Sequence, residues 1–205
     1  MQKGFKTLLL VAAIIGLQGC GDEASAPAAK EATPPKTAAA DTQLKPQQFA
    51  TVTDLIEDFA DFDEGNGTFQ LISADPLHIQ MAAEVVANDL PEVIQSEVQR
   101  VALYGVFRSL IHTAAPAVKV DAVAKEVTFN PRTSRDLAEP KVHIEVTREQ
   151  ALRAVQQHLA IDSLSELVTP DNSLGIQLDT WSEGFKPYYY QLESQQKLIK
   201  SLQSQ

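Results

Sequence analysis

From residue 48 onward the apolar positions recur at two spacings, one near 3.6 residues and one of two, the periods of helices and strands. Val52, Leu55, Ile56, Phe59 and Phe62 form one stripe at helical spacing with Glu57, Asp58 and Asp61 opposite, which predicts an amphipathic helix over Thr51–Phe62. Gly65-Asn66-Gly67 stops it, and Thr68–Ile72 alternates as a short strand. Asp75-Pro76 has the form of an N-cap with proline at the first helical position and predicts a helix running to Val86. Asp89-Leu90-Pro91 opens a second, longer helix in the same way. In that helix Ile94, Val98, Val101 and Leu110 lie on the inner side, and from Val101 to Ile111 the apolar residues go nearly all round. Such a helix is buried on more than one side. Gly105 within it costs about 1 kcal/mol relative to alanine, which points to a close approach by a neighbouring element.

Ala117–Val123 and Lys141–Thr147 both alternate, with Val118, Val120, Val142, Ile144 and Val146 inward, and predict paired strands. Asn130–Asp136 between them reads as a polar, basic loop. Thr147-Arg148-Glu149-Gln150 supplies a capping box for a helix whose inner face is Ala151, Leu152, Val155 and Leu159. Beyond it the pattern allows a short helix at Ser163–Val168, a short strand at Gly175–Asp179 and a terminal helix at Tyr188–Leu202. The fold class is α+β, a small antiparallel sheet packed against helices. The element order is also compatible with a split β-α-β-β-α-β arrangement.

The start of the chain has a different pattern. Lys3 and Lys6 precede the apolar run Leu8–Leu17, and Leu17-Gln18-Gly19 leads directly into Cys20. The run is too short for a span that needs roughly 20 helical residues, and it reads as a secretory signal peptide. The Leu-x-Gly-Cys ending resembles the lipobox of bacterial lipoproteins. The resemblance covers residues 1–20 and implies cleavage before Cys20, lipidation of its thiol and acylation of the new amino terminus, so that the protein is held to a membrane by several chains. It also implies sorting. Gly21, not aspartate, follows the cysteine, which favours the outer membrane, facing the periplasm, over the inner one.

Residues 21–47 are rich in Ala, Pro and Thr with Leu44 as the one aliphatic residue beyond alanine, a composition that cannot offset the entropy of ordering. The chain therefore divides into a signal peptide (1–19), a lipidated cysteine with a tether about 30 Å long (20–47), and a single domain (48–205). Cys20 is the only cysteine, which leaves the domain without a disulfide, a thiol nucleophile or a cysteine metal ligand. The domain holds 23 acidic and 12 basic residues, and its first part, residues 48–112, holds 11 and 2. That balance argues against nucleic acid as a partner and favours a cationic one.

Local chemical motifs are sparse. Asp61–Gly67 offers alternate acidic side chains, but the sixth and twelfth positions of an EF-hand loop would be Asn66 and Ile72, which do not fit it. His78, His112, His143 and His158 are too far apart for a local zinc pair. No serine has nucleophile-elbow flanks and the nine glycines form no phosphate loop. The sequence thus predicts no cofactor and no metal.

Two stretches read as binding surface. Trp181–Tyr190 packs the only Trp and three of the four Tyr into ten residues, and Tyr188, Tyr189 and Tyr190 cannot all point inward. Trp181 and Phe185 have the core-anchoring role as their alternative. Arg132 and Arg135 form a local positive spot suited to a carboxylate or phosphate. The function expected is that of an envelope lipoprotein binding a protein partner, an accessory or assembly factor; a periplasmic hydrolase and a small-ligand carrier or sensor are the alternatives.

Overall fold

The computed structural model describes residues 44–173 and 175–205. The signal peptide, Cys20 and the tether as far as residue 43 lie outside the described residues. Thr51 opens α1 (Val52–Phe59) with a reciprocal capping box to Asp54, and Ala60, at φ 52°, closes it before the glycines are reached. β1 (Phe69–Ala74) follows and turns back through Asp75-Pro76 into β2 (Leu77–Val86).

The expected helix over 75–86 is therefore a strand. Ile79, Met81, Ala83 and Val85 alternate toward the core, while on the opposite face only Ala82 is buried and His78, Gln80, Glu84 and Val86 are reached by water. The apolar runs Met81-Ala82-Ala83 and Val85-Val86 blur the period of two, and Asp-Pro serves as a hairpin turn instead of a helix start.

α2 (Pro91–His112) crosses from β2 to β3 (Ala117–Phe129), which pairs parallel to it. β4 (Arg132–Thr147) returns antiparallel to β3. The four strands lie in sequence order, β1-β2-β3-β4. The architecture is α+β, with a mixed sheet: its central pair is parallel because α2 supplies the crossover that parallel strands need. This hairpin–helix–hairpin order replaces the split arrangement. The expected loop at 130–136 is also corrected, since β3 and β4 run on to a two-residue turn at Asn130-Pro131 with Phe129 opposite Arg132. Polar residues on both strands of an exposed hairpin end give no apolar alternation to read.

α3 (Arg148–Gln156) starts on the predicted capping box from Thr147 to Gln150. After a 3-10 turn at Leu164–Leu167, β5 (Val168–Asp171) and β6 (Leu178–Trp181) form a separate two-stranded ribbon. The last helix is two, α4 (Lys186–Tyr190) and α5 (Leu192–Gln203).

α2 organises the core. One side lies on β2 and β3, the other on α4, α5 and the 3-10 turn, and every residue from Val101 to His112 is buried. The sheet side is in close contact at Gly105, where a Cβ would stand 2.8 Å from Met81 Sδ and 3.0 Å from Val120 Cγ1. Ahead of α1 the chain is strapped to the body: the carbonyl of Lys45 accepts from Gln177 Nε2 (2.8 Å), Gln48 Nε2 donates to the carbonyl of Ile111 (2.9 Å), and the Phe49 N–H donates to that of His112 (2.8 Å).

Candidate functional site

One flank of α2 carries Tyr104, Arg108 and His112, spaced four apart and so aligned in one row. All three are buried. Around this row lie the end of α1 with the chain leading to β1 (Phe59, Asp61, Phe62), the end of β6 (Asp179, Thr180, Trp181) and α4 (Tyr189, Tyr190). Together they line an open cleft of about 810 Å³, with His112 just beyond its inner end.

Arg108 occupies the floor. Its Cζ lies 4.0 Å from the Trp181 ring centroid and 4.7 Å from that of Phe59, so the guanidinium is held between two aromatic faces. Such contacts are worth about 2 kcal/mol when desolvated. Nη1 donates to the carbonyl of Asp179 (2.7 Å) and to His112 Nε2 (3.0 Å). Nε has no partner, and no carboxylate pairs with this guanidinium among the described residues. Burial holds the Arg108 pKa below its usual value. One turn earlier, the buried Tyr104 hydroxyl makes no well-formed hydrogen bond, although the Asp61 carboxylate lies close to it. Burial first, and the nearby Asp61 carboxylate second, push this phenol well above the usual range.

His112 is fully enclosed, and its neighbours fix its tautomer. An arginine can only donate, so Nε2 must accept, which leaves the proton on Nδ1 to be donated to the carbonyl of Gln47 at 2.9 Å. Burial, reinforced by the Arg108 charge, depresses its pKa to about 4. The Asp179 carboxylate accepts from the Gln47 N–H (2.6 Å) and from Gln177 Nε2 (3.0 Å). The strap, α2 and β6 therefore meet in one buried network behind the cleft.

No family model, curated protein or solved structure matches this chain. What the site can do rests on its own geometry. It offers aromatic faces, two buried hydrogen-bonding groups with nothing to bond, and a buried cation without an ion-pair partner. Asp61, Glu84 and Glu97 supply negative charge around it, and Arg100 and Lys186 are drawn to Glu97 and Glu183.

The residues singled out in the sequence are divided among different places. Tyr189 lines the cleft with its ring 5.0 Å from that of Trp181, and burial pushes its pKa up to about 12. Tyr190 is 58% exposed at the rim, edge-on to Tyr189. Tyr188 turns away: its ring lies 5.4 Å from His158 and its hydroxyl 3.4 Å from the His158 carbonyl. Arg132 and Arg135 are exposed on β4, outside the cleft lining, each drawn to an acid, Arg132 across β3 to Glu84 of β2 at 3.1 Å and Arg135 to Glu126 of the adjacent β3 at 2.8 Å. Trp181 and Phe185 are both buried, but Trp181 also forms part of the cleft. Cys20 lies outside the described residues.

Sequence reasoning missed Arg108, Tyr104, His112 and Asp179. A signal was present: Arg108 is the one charge inside the stretch Val101–Ile111 that is otherwise apolar nearly all round, with a tyrosine and a histidine four residues to either side. A charge that a helix buries must be met by something. The other titratable cluster is on the far face of the sheet, where Asp121 accepts from His78 Nε2 and His143 Nδ1, both at 2.6 Å. Among the described residues no group of three histidines, cysteines or carboxylates is arranged to hold a metal ion.

Proposed function

We infer that this chain is a lipid-anchored envelope protein whose acidic α+β domain binds a protein partner, as an accessory or assembly factor of an envelope complex. The anchor rests on the resemblance of Leu17-Gln18-Gly19-Cys20 to a lipobox, with attachment through Cys20 to the outer membrane facing the periplasm. No helix among the described residues is long and apolar enough to cross a membrane. The observation that carries the binding reading is the cleft itself: Trp181, Tyr189 and Tyr190 on one wall and the unpartnered Tyr104 hydroxyl and Arg108 Nε at its floor. Aromatic and arginine side chains concentrate binding energy, and buried groups without partners gain most when a ligand supplies them.

A site-specific photocrosslinker at Tyr190 in the full chain, irradiated in intact envelopes, tests the reading, with Arg135 as the comparison position and Cys20→Ser as the anchoring control. A discrete protein adduct at Tyr190 that depends on Cys20 is expected. An adduct at Arg135 alone would move the surface to the hairpin, and no adduct at either position would remove the protein-binding reading. The volume supports one further reading, a small-ligand carrier, since sites for small molecules run from roughly 300 to 1,000 Å³.

A further inference from the structure

We propose that the cleft takes the C-terminal end of a partner polypeptide: the terminal carboxylate lies along the free edge of Arg108 beside the Tyr104 hydroxyl, and the last side chain, an apolar one, lies against Trp181 and Tyr189. The proposal rests on the protein-binding reading above and specifies what is bound.

Three observations select this chemistry. Both hydrogen bonds made by the Arg108 guanidinium leave from Nη1, so the edge that carries Nε is unused. Arginine presents two parallel donors along such an edge, and a carboxylate is the protein group that matches both. No carboxylate reaches the buried guanidinium at ion-pair distance among the described residues; Asp61 and the enclosed Asp179 act on it only from further off, so a bound anion would add the direct pair that is missing. Tyr104, 2% exposed and one turn away on the same face of α2, adds a second unpartnered donor at the same floor.

The distance between the charged and apolar subsites then distinguishes a chain end from an internal acid. The Trp181 ring is 4.0 Å from Arg108 Cζ and the Tyr189 ring 5.0 Å beyond. A terminal residue carries its carboxylate and its side chain on one Cα, so a single residue reaches both. An internal Asp or Glu would use its own side chain on Arg108 and need a neighbour, on a Cα about 3.8 Å away, for the aromatic wall. Asp61, Glu84 and Glu97 around the cleft set a further condition: one anion is accepted at the floor, and the residues preceding it are better basic than acidic.

Trp181 is the only tryptophan of the chain and lies on Arg108, so its fluorescence reports the site directly. Arg108 Nε is closed to water in the free protein, and a carboxylate reaching that edge must shift the aromatic groups around it. The full chain in detergent would be titrated to millimolar concentration with three tryptophan-free probes: acetyl-Lys-Leu-Phe as the free acid, the same peptide as its C-terminal amide, and acetyl-Lys-Phe-Glu-Leu amide, which carries only an internal carboxylate. Saturable change in Trp181 emission with the free acid, and binding at least about tenfold weaker for both amides, is the expected result.

Two variants localise the effect. Arg108→Lys keeps the charge without the fork and is expected to abolish the preference for the free acid. Because that substitution can disturb the floor, Tyr104→Phe is the second: it removes a hydroxyl whose polar neighbour in the free protein is the loosely placed Asp61 carboxylate, so the Tm changes little while free-acid affinity falls about fivefold. A lowered Tm with unchanged affinity would make Tyr104 structural and overturn its role. Equal binding of acid and amide, equal binding of the internal acid, or no change in Trp181 emission while the Tyr190 crosslink persists would each overturn the terminal-carboxylate proposal and leave the protein-binding reading standing. Loss of the Tyr190 adduct together with free-acid binding in solution would instead overturn the protein-partner reading and assign the same chemistry to a free small acid.

Discussion

Two polar clusters lie on opposite sides of the molecule and differ in one respect. On the open face of the sheet, His78, Asp121 and His143 satisfy one another: the two carboxylate oxygens each take one imidazole nitrogen, and water reaches all three side chains. Beside the cleft, Tyr104, Arg108, His112 and Asp179 are enclosed, and their network stops short, with Arg108 Nε and the Tyr104 hydroxyl unbonded. An exposed and mutually paired cluster adds little to stability, because each member is nearly as well solvated when the chain is unfolded. A buried and incomplete one costs free energy in the isolated protein and releases it when a ligand completes it. The contrast is why the proposed binding is assigned to the cleft and not to the sheet face.

Substitution at the centre of each cluster should separate them most. Arg108→Ala removes the group held between Phe59 and Trp181 and leaves the Asp179 carbonyl and His112 Nε2 without a donor. A cavity and two orphaned acceptors together are expected to cost about 4 kcal/mol, partly offset by removal of a buried charge. Urea unfolding checks this; a loss under 1 kcal/mol would mean that the floor collapses or that water enters to replace the guanidinium.

Acid should probe the same difference with a somewhat smaller effect. His112 has its pKa depressed to about 4 by burial and by Arg108, so between that value and the unfolded pKa near 6.5 the unfolded chain binds the extra proton. Stability is then full above pH 6.5 and falls as pH is lowered through the window, by about 3 kcal/mol at its lower end. Asp121 acts in the same sense but in a lower pH window. Its pKa is lowered because hydrogen bonds from His143 and His78 outweigh a desolvation that acts to raise it, so its contribution is present above pH 3.8 and lost only as pH falls further, through its folded value. Unfolding free energies measured from pH 7 to 4 should slope downward in the native chain and flatten in His112→Gln; the same slope in both would assign the acid sensitivity elsewhere.

The two regions were also unequally legible in the sequence. α1 and α3 could be read because each is one-sided and opened by a capping box, α2 because a long apolar stretch follows a proline start, and the glycine at 105 marked a real close approach to Met81 and Val120. β2 was concealed because Asp75-Pro76 imitates a helix start and Ala82 and Val86 interrupt its alternation, and the β3–β4 hairpin end because exposing both faces erases the period. The cleft was half visible: the aromatic run at 181–190 showed one wall, whereas the floor is assembled from residues over 70 positions apart, such as Arg108 and Asp179. The sign of a buried site was the lone arginine in an apolar helix, a departure from the rule that makes helices recognisable at all.

The smallest expected effect lies on the sheet face and gives the comparison its control. Asp121→Ala removes the shared acceptor of His78 and His143, yet the Asp121 side chain is 34% exposed and that of His143 55%, so water replaces most of what is lost. A change under about 1 kcal/mol in unfolding free energy is expected at neutral pH, with Trp181 emission and the Tyr190 crosslink untouched. A loss as large as that of Arg108→Ala would show that the mutual pairing across β2, β3 and β4 holds the sheet register. The absence of unpartnered groups would then no longer distinguish a passive cluster from a functional one, and the assignment of the cleft would rest on its aromatic walls alone.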